Sequence, residues 1–266
     1  MLLSVCMIAR NEASRIAAAL ESVAWADERI VLDCGSQDTT ADIAAACGAR
    51  VYRAEHTPNL NVNKNRCLRL ACGEWILLLD ADERVSPQLA AEIQERISGA
   101  PREQAFWIPR RNWYFGHPLR YGRQYPDYQL RLFRRGAAYF PERHIHEYPT
   151  VHGAVGYLHT PLEHFPYETL SHYLQKLDRD TDFQARWLQQ RYGAISLGKF
   201  FRHGLWRAAK RFIERYIIWG GFRDGFAGFW AAWLDGVNTF VTLAKWWHLS
   251  QYEHGYALSE TNSLLR

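Results

Sequence analysis

Through the first hundred residues, short apolar runs recur at a steady spacing, each closed by a polar turn and followed by a stretch of helical period. Residues 2–8 form the first run, Ala9-Arg10-Asn11-Glu12 the first turn, and an Ala-rich pattern over 14–23 the first helix. The design repeats. Residues 29–32 lead into Asp33-Cys34-Gly35-Ser36-Gln37-Asp38-Thr39-Thr40, where Asp38 suits an N-cap, Ile43, Ala44 and Cys47 mark an apolar helix face, and Gly48 suits a stop. A third strand is predicted over 49–53. A helix over 61–71 follows, with Lys64, Asn65 and Arg66 near its start. Trp75-Ile76-Leu77-Leu78-Leu79 is then an apolar run of the length of a strand buried on both faces, and it ends in Asp80-Ala81-Asp82-Glu83. Ser86-Pro87 reads as an N-cap and first helical position, opening a helix through about residue 98. Four alternations of strand and helix predict an α/β fold with a mostly parallel central sheet.

After residue 100 the pattern changes. Residues 107–115 and 128–135 read as strands rich in aromatics and arginine, separated by Gly- and Pro-bearing turns, and are expected to extend the sheet and wall a site. Residues 172–190, 197–219 and 226–247 are long periodic helical segments, broken sharply at Trp219-Gly220-Gly221-Phe222-Arg223-Asp224-Gly225-Phe226. We therefore expect two parts: 1–165, α/β, and 166–266, helical.

Composition narrows the class. Among 266 residues, 48% are apolar and 23% charged, a globular and not a disordered balance. Aromatics reach 14%, with 11 Trp, and concentrate after residue 100. The net charge of +4 decides nothing by itself. Cys6, Cys34, Cys47, Cys67 and Cys72 make an odd set without a Cys-x-x-Cys pair, which predicts reduced, mostly buried thiols in a cytoplasmic setting. The start of the chain enters the first strand directly, so no secretory signal is expected. Asp224, Asp235 and Lys245 cut the apolar tail into pieces too short to cross a bilayer.

Ligands of open α/β sheets gather at the carboxyl ends of strands, so Asp80 and Asp82 are expected at the rim of a site. Two carboxylates there suit a hard divalent cation whose shell is completed by phosphate and water, although an Asp-x-Asp can also be a solvated turn. Ser4-Val5-Cys6-Met7-Ile8-Ala9-Arg10-Asn11-Glu12, then Val31 through Thr40, then Asp80-Ala81-Asp82-Glu83 resemble, in order and spacing, the signatures of family-two inverting glycosyltransferases. A finer likeness extends over Leu130-Arg131-Leu132-Phe133-Arg134-Arg135, His144-Ile145-His146-Glu147 and the aromatic tail. It is to the lipopolysaccharide inner-core β-glucosyltransferases.

The resemblance implies a GT-A fold, a UDP-sugar donor and Mg or Mn. It puts Ala9, Arg10, Asn11 and Glu12 against the nucleotide, Asp33 at uracil or ribose, and Lys64 and Arg66 over the donor. Asp80 would touch ribose, Asp82 would bind the metal, and Arg131 or Arg134 would face the leaving diphosphate. Glu12 could instead favour a helix dipole, Asp33 could cap its turn, and Lys64 and Arg66 could be a solvated face. Inversion needs a base opposite the leaving group, and Asp127 in Gln124-Tyr125-Pro126-Asp127-Tyr128 stands where the family has an acid, with Pro126 where Glu is commoner. Glu83, Glu142 and Glu147 are the substitutes. Of the late histidines 144, 146, 152 and 164, His146 is the first choice for the metal.

The tail adds a surface reading. Lys199, Arg202, Arg207, Lys210, Arg211 and Arg215 interleave with aromatics at helical spacing, which suits an anionic membrane surface better than nucleic acid, although a core-packing face with solvated charges has the same pattern. The sequence thus predicts an enzyme on the cytoplasmic face, peripheral on the inner membrane. It would move a hexose, glucose first, from a UDP-sugar to a lipid-linked saccharide such as a core heptose. The alternatives are a polyprenyl phosphate or capsule acceptor, and a noncatalytic membrane-binding module.

Overall fold

β4 is apolar at every position and β1 at all but Ser4, and their side chains divide between two buried clusters, one on each face of the sheet. The computed structural model describes residues 2–57, 59–142 and 149–263, with side chains through residue 251 apart from 202 and 203. In chain order the α/β elements are β1 (Leu3–Ala9), α1 (Ile16–Glu21), β2 (Glu28–Asp33), α2 (Thr40–Ala46), β3 (Arg50–Arg53), α3 (Leu60–Leu70) and β4 (Trp75–Leu78). They continue as β5 (Glu83–Arg84), α4 (Pro87–Ser98), β6 (Ala105–Tyr114), β7 (His117–Pro118), β8 (Asp127–Arg134), β9 (Ala138–Tyr139), β10 (Thr150–Val151), β11 (Val155–Tyr157) and β12 (Leu162–Tyr167). Strand order is β3-β2-β1-β4-β8-β6-β12-β5. The first four strands are mutually parallel, and β8 turns the sheet antiparallel against β4. This is the α/β architecture, with a helical C-terminal region, that the sequence predicts.

Trp75, Leu77 and Leu79 enter one core with Val5, Met7 and Phe106, while Ile76 and Leu78 enter the other with Cys6, Ile30 and Phe133. A two-faced apolar run therefore fixes β4 in the middle of the sheet, each fully buried large side chain contributing roughly 1.5–3 kcal/mol. Before it, Gly73 lies so close to β1 that a Cβ would stand 2.7 Å from the Ser4 backbone nitrogen. Only glycine fits there.

The predicted helix after the acidic run is found with its cap: Ser86 Oγ accepts from Leu89 N–H at 3.2 Å, and Pro87 opens α4. The second helix starts a residue later than an Asp38 cap implies. Its N-cap is Thr39, and Asp38 instead accepts from the backbone N–H of Thr40 and of Ala13, tying two loops together. All five cysteines are free thiols, three of them buried.

The chain divides into two compact units, 1–112 with 126–165 and 113–125 with 166–266. The segment 113–125 thus belongs with the helices and not with the α/β part, unlike the simple cut after 165. In the second unit, α5 (Leu170–Tyr192) is capped by Thr169. It is followed by α6 (Leu197–Lys199), a π-helical stretch (Phe200–Leu205), α7 (Trp206–Ile213) and a second π-helical stretch (Glu214–Ile218). The predicted break is real: Gly220 takes φ +69°, a 3-10 turn spans Gly221–Asp224, and α8 (Gly225–Ser263) runs back along α7 and α5. Among the described residues no helix is long and apolar enough to cross a membrane.

Candidate active site

Three parallel strands end side by side and bring their following loops together. The β1 and β2 ends are in register at Ala9 and Asp33, and Leu79 N–H donates to the Cys6 carbonyl, so Asp80 leaves the sheet beside the end of β1. Loop-to-loop hydrogen bonds then lock the first two turns. Asn11, at φ +56°, donates its N–H to Ser36 Oγ and accepts from Gln37 N–H, and Glu12 N–H donates to Thr40 Oγ1. Asparagine tolerates this left-handed backbone better than most residues. Ala9 is buried, Arg10 is exposed, Glu12 pairs with Arg15, and Asp33 is buried with Oδ1 accepting from Ser36 N–H at 3.1 Å. The turn-capping alternative for Asp33 is therefore present in the geometry, whatever else that carboxylate does.

Around Asp80 the charges alternate. Arg131 bonds both Asp80 and Glu83, Glu83 also faces Arg110 at 3.4 Å, and Arg110 holds Asp127 through Nε at 2.9 Å and Nη2 at 2.6 Å. Glu83 has no exposed surface. Burial alone would raise the Asp80 carboxyl, but the Arg131 guanidinium and the Lys64 ammonium outweigh it and hold it below the usual carboxylate range. Burial lowers Lys64 itself, with Asp80 opposing. Lys64 thus lies within electrostatic reach of Asp80, whereas Arg66, two residues on along the helix, is exposed.

Arg134 is a correction. It is paired in register with Trp75, at the amino end of β4, and bonds Glu74, so it stands at the far end of the strand from Asp80. Arg131 alone of the two arginines reaches the acids. Glu83 is also unsuited to its substitute role as a base, since it is buried between two guanidinium groups. Glu142 bonds Asn65 Nδ2 at 2.9 Å. Residues 143–148 lie outside the described residues, and with them His144, His146 and Glu147.

Asp127 is held by Arg110, Gln129 and Asn112. Burial would raise its carboxyl, and these donors, Arg110 foremost, bring it below the usual range. A carboxyl lowered in this way is ionised at neutral pH and only weakly basic.

The residue that sequence reasoning undervalued is His164. The short ladder of β5 with β12 pairs His164 with Glu83, and Phe165 N–H donates to the Asp82 carbonyl, so His164 Nε2 stands 3.4 Å from Asp82 Oδ2. Its ring orientation is set from behind by buried Asn112, which had not been singled out at all. Asn112 bonds the Asp127 carboxylate, a pure acceptor, and so must present its NH2 there. Its Oδ1 then faces His164 Nδ1 at 2.6 Å and takes that proton. Nε2 is then the ring atom turned toward Asp82. A carboxylate oxygen and an imidazole nitrogen side by side fit a divalent ion such as Mn, with phosphate and water to complete its shell. Among the described residues no cluster of three His, Cys, Asp or Glu side chains suited to a metal occurs. The fit is thus to an ion shared with a phosphate ligand and not to a closed protein cage.

Known proteins share parts of this chain. A lipopolysaccharide core biosynthesis glycosyltransferase, LpsC of Rhizobium meliloti, is 25% identical over 249 residues, 91% of each chain. A TPR repeat-containing protein of Synechococcus elongatus is 35% identical over 146 residues, 54% of this chain but 34% of its own, so the chain spans only about a third of that relative's length. A solved structure of glucosyl-3-phosphoglycerate synthase from Mycobacterium tuberculosis, in complex with Mn2+, UDP and glucosyl-3-phosphoglycerate, is 26% identical over 43% of this chain and 44% of its own, with a TM-score of 0.36. Residues 4–160 match the profile of Glycosyl transferase family 2, a stretch that holds the three carboxyl-end loops, the row of alternating charges and Asp127. This chain belongs to glycosyl transferase family 2.

Proposed function

We propose that the chain transfers a hexose, glucose first, from a UDP-sugar with inversion to a hydroxyl of a lipid-linked saccharide, a heptose of the lipopolysaccharide inner core being the leading acceptor. The observation that carries this reading is the meeting of Asp82 and His164 beside Asp80 at the carboxyl end of β4, where a nucleotide diphosphate and its ion would lie. The acceptor class draws on the full-length likeness to LpsC. A divalent ion, Mg or Mn, held by Asp82 and His164 would neutralise charge on the departing diphosphate.

The chain's own residues supply the rest. Asp33, Glu12 and the Ala9-Arg10-Asn11 turn bind the nucleoside, and Asp80, fixed by Arg131, takes the ribose hydroxyls. Lys64 adds a positive charge on the diphosphate side. On the opposite face Asp127 accepts the proton of the acceptor hydroxyl as its oxygen attacks the anomeric carbon, while the bond from that carbon to the phosphate oxygen breaks and UDP leaves.

The helical unit supports a peripheral place on an anionic membrane. Phe201, Leu205, Trp206, Ile213, Ile217 and Ile218 are exposed, an apolar surface larger than isolated side chains would give. Arg211 and Arg215, however, both bond Asp235, which takes up part of the positive charge expected of the tail.

A donor screen counting UDP release across sugar nucleotides, with and without Mn, tests the reading. UDP-glucose turnover that requires Mn, and is at least about a hundredfold lower in Asp82→Asn with Tm unchanged, is the expected result. Equal turnover by Asp82→Asn would remove the metal role. Labelled sugar passing to polyprenyl phosphate and not to heptose-bearing glycolipid would replace the acceptor.

A further inference from the structure

The helical unit contains a cleft of about 460 Å³ between α5, α7 and α8, within the ~300–1,000 Å³ of small-ligand sites. Its charge is lopsided. Arg207, Arg211 and Arg215 follow one another at four-residue steps, about 6 Å apart along the axis, and so form one stripe that lines the cleft. Asp235 of α8 is the single acid lining it. That carboxylate is shared, with Arg211 Nε at 2.8 Å and Arg215 Nε at 2.7 Å, and Arg215 is further fixed by the Gly122 carbonyl at 3.1 Å. Among the described residues Arg207 has no acidic partner. One carboxylate therefore orients two guanidinium groups and leaves the cleft with an excess of positive charge.

The remaining lining differs from a membrane-facing surface. Gln184 and Asn238 line it with amides, while the Thr239 and Thr242 hydroxyls donate to the Asp235 carbonyl and to Gln184 Oε1 and keep their oxygens as acceptors. Tyr114 and Tyr173 add aromatic rings to the lining, packed on Tyr167, and burial pushes both phenols well above their ordinary range, so they stay protonated. Guanidinium forks match phosphate oxygens in pairs, while amides, hydroxyls and aromatic faces suit the hydroxylated ring of a sugar. The geometry points to a second binding site, separate from the residues at the carboxyl end of the sheet, for a phosphoryl group carried on a saccharide. Arg207 supplies the uncommitted fork, Arg211 and Arg215 the pre-oriented ones, and Asn238 with Thr239 the contacts to sugar hydroxyls. The inference does not depend on which reaction the α/β unit performs.

Calorimetric titration of the full-length chain in phosphate-free buffer, with glucose 6-phosphate, inorganic phosphate and glucose as probes, tests it. Glucose 6-phosphate should bind saturably, inorganic phosphate at least about fivefold more weakly, and glucose not detectably. Arg207→Gln should weaken glucose 6-phosphate about tenfold, or about 1.4 kcal/mol, and Asn238→Ala should weaken it while sparing inorganic phosphate. UDP binding should be the same in both variants as in the parent, which separates this site from the nucleotide's. Unchanged binding in Arg207→Gln, or displacement of glucose 6-phosphate by UDP, would overturn the site. Equal affinity for inorganic phosphate and glucose 6-phosphate would overturn its saccharide part.

Discussion

Arg131 and Arg134 lie three residues apart on the same strand, both bonded to glutamates, yet they live in different solvents. The Arg131 side chain is 7% exposed and its partner Glu83 not at all, whereas Arg134 is 31% exposed and its partner Glu74 51%. An ion pair in water is worth little because solvent already screens both charges. A buried one cannot lose a partner cheaply, since the charge left behind has no water to turn to. The ladder of β8 with β6 shifts register at Arg131, Phe106 pairing with Leu132 and Trp107 with Leu130, so Arg131 sits at a bulge while Arg134 lies in the regular part of the strand.

The largest effect is therefore expected at Glu83. Glu83→Ala leaves Arg131 and Arg110 buried without their shared carboxylate and should cost about 3–5 kcal/mol in urea unfolding. A cost below about 1 kcal/mol would mean that water reaches the row of charges. Next, Asn112→Leu should weaken Mn binding about 10- to 100-fold by titration, because it frees the His164 ring to take the wrong tautomer. Full Mn affinity in that variant would detach Asn112 from the ion.

Acid should then separate the two ends of β4. Asp80 and Asp127 both have depressed carboxyl pKa values, so their stabilisation is complete above the unfolded value near ~3.9 and is lost as pH falls through the lower folded value. Thermal melts should fall steeply below about pH 4, and Asp127→Asn should flatten that fall. An acid limb identical in Asp127→Asn would show that Asp127 contributes nothing to it. The smallest effect belongs to Arg134→Ala, which loses a half-exposed pair and its contact over Trp75 at 5.1 Å. A stability change within about 1 kcal/mol and unaltered turnover are expected. A large loss of turnover would restore Arg134 to the site.

These contrasts show what the sequence could and could not carry. The apolar run before Asp80, the Ser86-Pro87 helix start and the glycine break after Trp219 are local signals, and each is found at its expected place. The role of His164 was out of reach because a strand pairing across some eighty residues sets it, while His146 had the more suggestive neighbour in Glu147. Asn112 looked like an ordinary strand residue, and only its two hydrogen-bond partners make it informative. Arg131 and Arg134 were not separable by strand period, because the ladder with β6 shifts register at Arg131. What period does not give is the antiparallel register with β4, which puts one at each end.

The β5–β12 ladder is only two residue pairs long, and it joins positions that are distant along the chain. Closing so wide a loop is entropically unfavourable and waits on the strands between. A nascent chain released only as far as β8 would already own the loops after β1, β2 and β4 with Asp82, yet it would lack the His164 imidazole that faces Asp82. The meeting of Asp82 with His164 would then mature only at the end of folding.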